Sequence, residues 1–158
     1  MFSQKTKEYF NSLYSEKGFT LPELLISTLI LVFIFSGVII TFITCMDLHQ
    51  INTNSSIALE IVNDKITEIE NTTYAQISTT YNGTTFINSD LTGIGVSYVD
   101  NSNPSLLEVT VTFTWQQANG RIIGEDTNLN GALNSGEDTN GNGILDSPIT
   151  LTTAISNI

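Results

Sequence analysis

The 158-residue chain is poor in the side chains that most active sites need, with one cysteine, one histidine and five basic residues. A single cysteine, Cys45, excludes an intrachain disulfide and any cysteine cluster for zinc or iron–sulfur. A single histidine, His49, excludes a His-rich metal centre and argues against a Ser-His-Asp machine. Five Lys and Arg stand against 16 Asp and Glu, giving a formal net charge of −11. So few cations cannot build a phosphate-binding patch, which excludes most DNA and RNA binders; no nucleic-acid partner is expected. There is no nucleophile with a matching base and no Gly-rich phosphate loop ahead of a helix, so the sequence predicts no enzyme.

What the chain does have is apolar residues, 41% of the total, and they are segregated from the acidic ones. Leu24 to Met46, between Glu23 and Asp47, is a 23-residue run without a charge. As a helix it would extend roughly 35 Å, enough to cross a hydrocarbon core of about 30 Å. A core helix of that length would carry a polar face, and this run has none. Lys5, Lys7 and Lys17 precede it, whereas only Lys65 and Arg121 follow. The positive-inside rule therefore places the short N-terminus in the cytoplasm and the acidic remainder outside.

The apolar run follows a polar segment, Met1 to Gly18, which inverts the order of an ordinary secretory signal. The junction reads Lys17-Gly18-Phe19-Thr20-Leu21-Pro22-Glu23-Leu24-Leu25. It resembles the class III signal of type IV pilins and pseudopilins: a basic residue and Gly before the cut, Phe as the new first residue, Glu as the fifth, and a long apolar helix behind. The resemblance implies a leader at 1–18, cleavage by prepilin peptidase between Gly18 and Phe19, and N-methylation of Phe19. It further implies an assembly role for Glu23, pairing with a neighbouring subunit's amino terminus. A carboxylate at the bilayer edge is costly unless paired, which independently marks Glu23 as functional. Pro22 falls in the first helical turn, where its missing N–H costs nothing.

Past the membrane run, Ile51, Ser55, Ala58, Val62, Ile66 and Ile69 recur at spacings of three and four, predicting one continuous helix of roughly fifty residues. Asn71 to Asn82 reads as a connecting loop. Strand-like runs follow at Thr84–Ile87, Gly95–Val99 and Leu106–Gln116, with Asn101–Pro104 as a turn. In the last run Val109, Val111, Phe113 and Trp115 alternate with Thr110, Thr112 and Thr114, predicting a face against the helix and a threonine face to solvent. The expected class is α+β: a long N-terminal helix, half membrane and half amphipathic, packed on a small antiparallel sheet, as in pilins. The expected parts are a membrane and assembly helix at 19–46 and an exported head at 47–158. Cys45 and His49 are expected only to pack or meet solvent, and the sequons at Asn54, Asn71 and Asn82 have no assigned role.

The run Val109 to Trp115, then Asn119-Gly120-Arg121, then Ile149 to Thr153 resembles the terminal hairpin of PilV-type minor pilins and GspI-type pseudopilins. Here an insertion, 122–148, replaces the short turn. It contains a twelve-residue duplication: EDTNLNGALNSG from Glu125 and EDTNGNGILDSP from Glu137, identical at eight positions. Asp126-x-Asn128-x-Asn130-Gly131 followed by Glu137 matches the EF-hand calcium loop. Hard oxygen ligands are then expected from Asp126, Asn128, Asn130, the Ala132 carbonyl, Asn134 directly or through water, and a bidentate Glu137. The second copy offers Asp138, Asn140, Asn142, the Ile144 carbonyl and Asp146, but its twelfth position is Ile149, which cannot coordinate. Either a water or a first-loop carboxylate such as Glu125 completes that sphere, or the second site is weaker. Leu133 and Leu145 hold the position that anchors such loops. Many neutral ligands predict one or two calcium ions bound at about 10⁻⁴ to 10⁻³ M; the alternative is a flexible polar tip loop.

Together these features predict a minor pilin, a structural subunit of a type IV pilus or related filament, stabilised by calcium. Alternatives are a pseudopilin of a type II secretion or competence system, a calcium-dependent adhesin on one membrane helix, and a single-pass anchored sensor or enzyme. The expected partners are other pilin or pseudopilin subunits, prepilin peptidase and methylase, and the inner-membrane assembly machinery. The expected location is the cytoplasmic (inner) membrane before assembly and a periplasmic or extracellular filament afterwards.

Overall fold

The structure, a computed structural model, describes residues 18–157. Apart from Gly18, the segment expected to be a leader, with Lys5, Lys7 and Lys17, lies outside the described residues. Helix α1 spans Leu21–Glu70 and a short helix α2 spans Tyr74–Tyr81. Five strands follow: β1 (Thr84–Phe86), β2 (Gly93–Asn103), β3 (Leu106–Gln116), β4 (Ile122–Ile123) and β5 (Thr150–Ser156). The chain divides into two units at Cys45/Met46.

In the first unit α1 is apolar all round and long enough to cross a membrane by length and composition. Its side chains are uncovered by protein, with Phe33 71% and Phe42 64% exposed. The few polar side chains here satisfy themselves locally. Ser27, Thr28, Ser36, Thr41 and Thr44 donate to the carbonyls of Glu23, Leu25, Val32, Gly37 and Ile40, three or four residues back. No hydroxyl in that group needs water, which is the condition hydrocarbon imposes. Pro22 sits in the first turn, as expected, beside Glu23.

In the second unit α1 turns one stripe inward: Ala58, Ile61, Val62, Ile66 and Ile69 are buried. They pack on Val99, Leu107, Val109, Val111, Phe113 and Trp115 of the sheet. Each buried Val, Leu, Ile or Phe among them is worth about 1.5–3 kcal/mol relative to exposure. Ile61 extends the expected stripe, whereas Ile51 and Ser55 stay half-buried at its end. Asn71–Asn82 is not a plain loop: α2 occupies most of it. The helix has no side-chain N-cap. Tertiary burial holds it instead, because Ile77 is fully buried and Tyr74 and Tyr81 pack on the same core.

The sheet is wholly antiparallel, with β1 on β2, β2 on β3, and both β4 and β5 on β3. Strand β3 has the expected bounds, whereas β1 stops at Phe86 and β2 runs from Gly93 through the expected turn to Asn103. The turn is therefore reduced to Pro104 and Ser105. The expected solvent-facing threonines are corrected as well: Thr112 and Thr114 are 1% and 2% exposed. They share a face with Val96 and Ile94, their partners across the β2–β3 ladder. Something covers that second face, and it is the duplicated segment.

Candidate functional site

Strands β4 and β5 lie along the same edge of β3: Ile122 and Ile123 pair with Gln116 and Trp115, and Thr150–Ser156 pair with residues from Thr112 back to Leu106. The return strand of the terminal hairpin is thus split. The excursion begins after Ile123, later than the expected 122, because the first two residues already belong to the ladder. Residues 124–148 then leave the edge and fold over the outer face, and Ile149 is back on it, its carbonyl accepting Phe113 N–H at 3.3 Å. Gly124 lies against the Thr114 side chain, and Gly131 against Thr85 and Ile94. Leu145 is 1% exposed and donates its N–H to Tyr98 Oη at 3.0 Å. Tyr98, Thr85, Ile94 and Thr114 all belong to the face opposite the helix, as the register requires.

Both repeats wrap their own polar side chains. In the first, Asp126 Oδ1 and Oδ2 accept the N–H groups of Asn130 (3.1 Å) and Gly131 (2.7 Å), and Asn128 Oδ1 accepts Asn130 N–H at 3.0 Å. Asn130 Oδ1 accepts Ala132 N–H at 2.8 Å. In the second, Asp138 accepts from Gly141, Asn142 and Gly143, Asn140 Oδ1 from Asn142 N–H, and Asn142 Oδ1 from Ile144 N–H. Gly131 (φ 72°) and Gly143 (φ 81°) supply the left-handed turn at the same position of each copy.

The closing carboxylates differ in origin and match in contacts. Glu137 Oε1 accepts Thr127 N–H (3.0 Å) and Thr127 Oγ1 (2.8 Å), and its Oε2 accepts Asn134 N–H (2.9 Å). Glu125 Oε1 accepts Thr139 N–H (3.0 Å) and Thr139 Oγ1, and its Oε2 accepts Asp146 N–H (3.0 Å). Thr127 and Thr139, like Asn134 and Asp146, are equivalent positions of the repeat. Glu125 thus stands to the second loop as Glu137 stands to the first, and Ile149 has no part in the closure.

The hydrogen bonds favour the charged form of both glutamates. Asn134 N–H is the main influence that holds Glu137 below its ordinary value, against a smaller opposing effect of burial. Burial pushes Glu125 up, but Thr139 Oγ1, Asp146 N–H and Thr139 N–H together outweigh it and leave the carboxyl low. Burial raises the Tyr98 phenol against the opposing hydrogen bond from Leu145 N–H, and the charges of Asp146, Asp126 and Glu125 add to the rise. Tyr98 therefore feels the charge of carboxylates from both repeats.

Three oxygens expected as ligands, Asn130 Oδ1, the Ala132 carbonyl and Glu137 Oε2, converge on one atom, Asn134 Nδ2, at 3.3, 2.8 and 3.1 Å. Asn134 thus offers its amide nitrogen to that point; an amide flip exchanges this donor for its oxygen. In the second loop Asn140 Nδ2 and Asn142 Nδ2 both reach Asp146 Oδ2 at 2.7 Å. Among the described residues no three His, Cys, Asp or Glu side chains gather as ligands; the gathered oxygens are mainly asparagine and backbone. Asp126 and Glu137 are 1% and 4% exposed, yet the one ion pair among the described residues is Lys65 with Glu68, at 2.9 Å.

Leu145 is the anchor expected of it, but Leu133 is 39% exposed, since only the second loop turns this position onto the sheet. Tyr98 had no role in the sequence reading. Its signal was present in β2, where Ile94, Val96 and Tyr98 alternate with Ser97 and Val99, leaving apolar residues on both faces of one strand. Cys45 and His49 are exposed on α1. No family model, curated protein or solved structure matches the chain.

Proposed function

We propose that this chain is a structural subunit, a minor pilin, of a type IV pilus or related filament, anchored and assembled through the first half of α1. One observation carries the reading: a helix with no charged residue between Glu23 and Asp47 starts three residues after Gly18, with Glu23 in its first turn. Its apolar side chains are exposed all round, a surface that requires lipid before assembly and neighbouring subunits after it. Gly18 and Phe19 flank the cut, and Glu23 is the assembly carboxylate. The head, from Asp47 onward, is then the exported part.

In this reading calcium holds the duplicated segment over the sheet. The donors fit a hard cation: Asp126, Asn128, Asn130, the Ala132 carbonyl, Asn134 and Glu137 in one loop, and Asp138, Asn140, Asn142, the Ile144 carbonyl and Asp146 in the other, with Glu125 closing it. All can offer oxygen. Three of them already gather around one point, and buried carboxylates without a cationic partner call for a counter-charge. Bound calcium would supply positive charge and lock the wrap, stabilising the head only where the ion is plentiful.

The test is the amino terminus of the protein isolated from its native membrane. Mass spectrometry should find a chain beginning at N-methylated Phe19, whereas an intact Met1 overturns the filament reading. A deletion strain scored together for surface pili, DNA uptake and protein secretion then distinguishes pilus from competence or secretion filament.

A further inference from the structure

We propose that the two loops are one coupled binding unit in which each loop is closed by the glutamate that precedes the other loop's first ligand. The inference rests on the calcium reading above and goes beyond it, because the consequence is coupled rather than independent occupancy.

Glu125 precedes Asp126, the first ligand of the first loop, but its carboxylate closes the second loop through Thr139 and Asp146. Glu137 precedes Asp138, the first ligand of the second loop, but its carboxylate closes the first through Thr127 and Asn134. The two sets of contacts exchange with one another when the loops are exchanged. An ion that fixes Glu137 in the first loop also fixes the backbone one peptide bond from Asp138. Likewise, an ion that fixes Glu125 in the second loop fixes the backbone next to Asp126. Each event therefore removes part of the ordering cost of the other, and linkage requires the benefit to be equal in both directions.

Charge works against the coupling, because the second ion meets less negative charge than the first, so the shared ordering of the two loops must outweigh it. The unit holds five carboxylates, those of Glu125, Asp126, Glu137, Asp138 and Asp146. One dication leaves three negative charges close together, and two leave one. Ile149 at the nominal twelfth position of the second copy is then no defect, because the crossed Glu125 takes its place.

The experiment is calcium binding to the full-length chain in detergent micelles by equilibrium dialysis, with stoichiometry and steepness both read. Two ions per chain with a Hill coefficient clearly above 1 are expected. Glu125→Gln should abolish the second ion and weaken the first by about tenfold or more, and Glu137→Gln should do the same in mirror image. The double variant should bind neither ion. Glu125→Asp keeps the charge and withdraws it by one methylene; it guards against a folding defect and should also lose the second ion. Two ions bound with a Hill coefficient of 1, or unchanged binding by Glu125→Gln, overturn the coupling while leaving calcium binding intact. A chain that binds no calcium overturns both.

Discussion

The two repeats are identical at eight of twelve positions, and their backbones take the same wrap, yet their surroundings divide them. Asp126 and Asp138 gather the equivalent amides of Asn130 and Gly131 and of Asn142 and Gly143, Asp138 taking that of Gly141 as well, and Gly131 and Gly143 make the same left-handed turn. Leu133 and Leu145 occupy the same place in the repeat, but the first is 39% exposed and the second 1%. The wrap follows from local chemistry: Asp and Asn side chains capture nearby N–H groups wherever a glycine lets the chain turn. Leu145 is buried where the second loop meets the sheet, its N–H held by Tyr98 Oη. Duplication thus copied a local structure whose leucine reaches the sheet in the second copy only, while the first copy meets the sheet at Gly131.

Truncating the two leucines separates these contributions most sharply. Leu145→Ala opens a cavity between the segment and the sheet and should cost about 2–5 kcal/mol. Leu133→Ala should stay within about 0.5 kcal/mol, as exposed substitutions do. Denaturant melts of the two variants, run side by side in detergent, measure both. Equal losses would mean that the first loop is anchored as the second is.

Local rules also explain which parts of the fold could be read in advance. The helix was legible because a charge-free run and an i, i+3, i+4 stripe each identify it, and β3 because its alternation is unbroken from Leu107 to Trp115. Helix α2 was not, because threonine and tyrosine have no strong helix preference and its single fully buried residue, Ile77, is visible only against the sheet. Burial of Thr112 and Thr114 was hidden for a different reason. Alternation shows that a strand has two faces, but only the path of a distant segment says what covers the second. The same distance hid the closure of the second loop: Glu125 was one option among several until the chain folded back and brought it to Thr139.

Acid should treat the loops alike, which tests whether their closures are equivalent. Both Glu125 and Glu137 are held below the ordinary folded-free value of 4.5. A carboxylate depressed in the folded state stabilises fully above the unfolded value and loses that contribution as pH falls through the folded one. Amide exchange followed by NMR, in chelator, should show the N–H groups of Thr127 and Asn134 losing protection below 4.5, and those of Thr139 and Asp146 over the same range. Glu137→Gln should remove the acid response of the first pair. Protection of only one loop lost in acid would break the equivalence.

The smallest difference between the copies lies in one backbone position. Leu129 has φ 56°, in the left-handed region, where the second repeat has Gly141 with φ 76°. A side chain with a Cβ costs roughly 1–2 kcal/mol in that region, and glycine escapes this while losing more chain entropy on folding, about 0.5–1 kcal/mol. Leu129→Gly should therefore stabilise the head by about 0.5–1 kcal/mol, and Gly141→Leu should destabilise it by a similar amount. Paired thermal melts with and without calcium measure both changes. Because the strain sits in the backbone and not in a ligand, the shift should have the same sign in both conditions. A Leu129→Gly variant less stable than the parent would show instead that the half-buried leucine side chain outweighs its strained backbone, and that the first loop has a packing contact the second lacks.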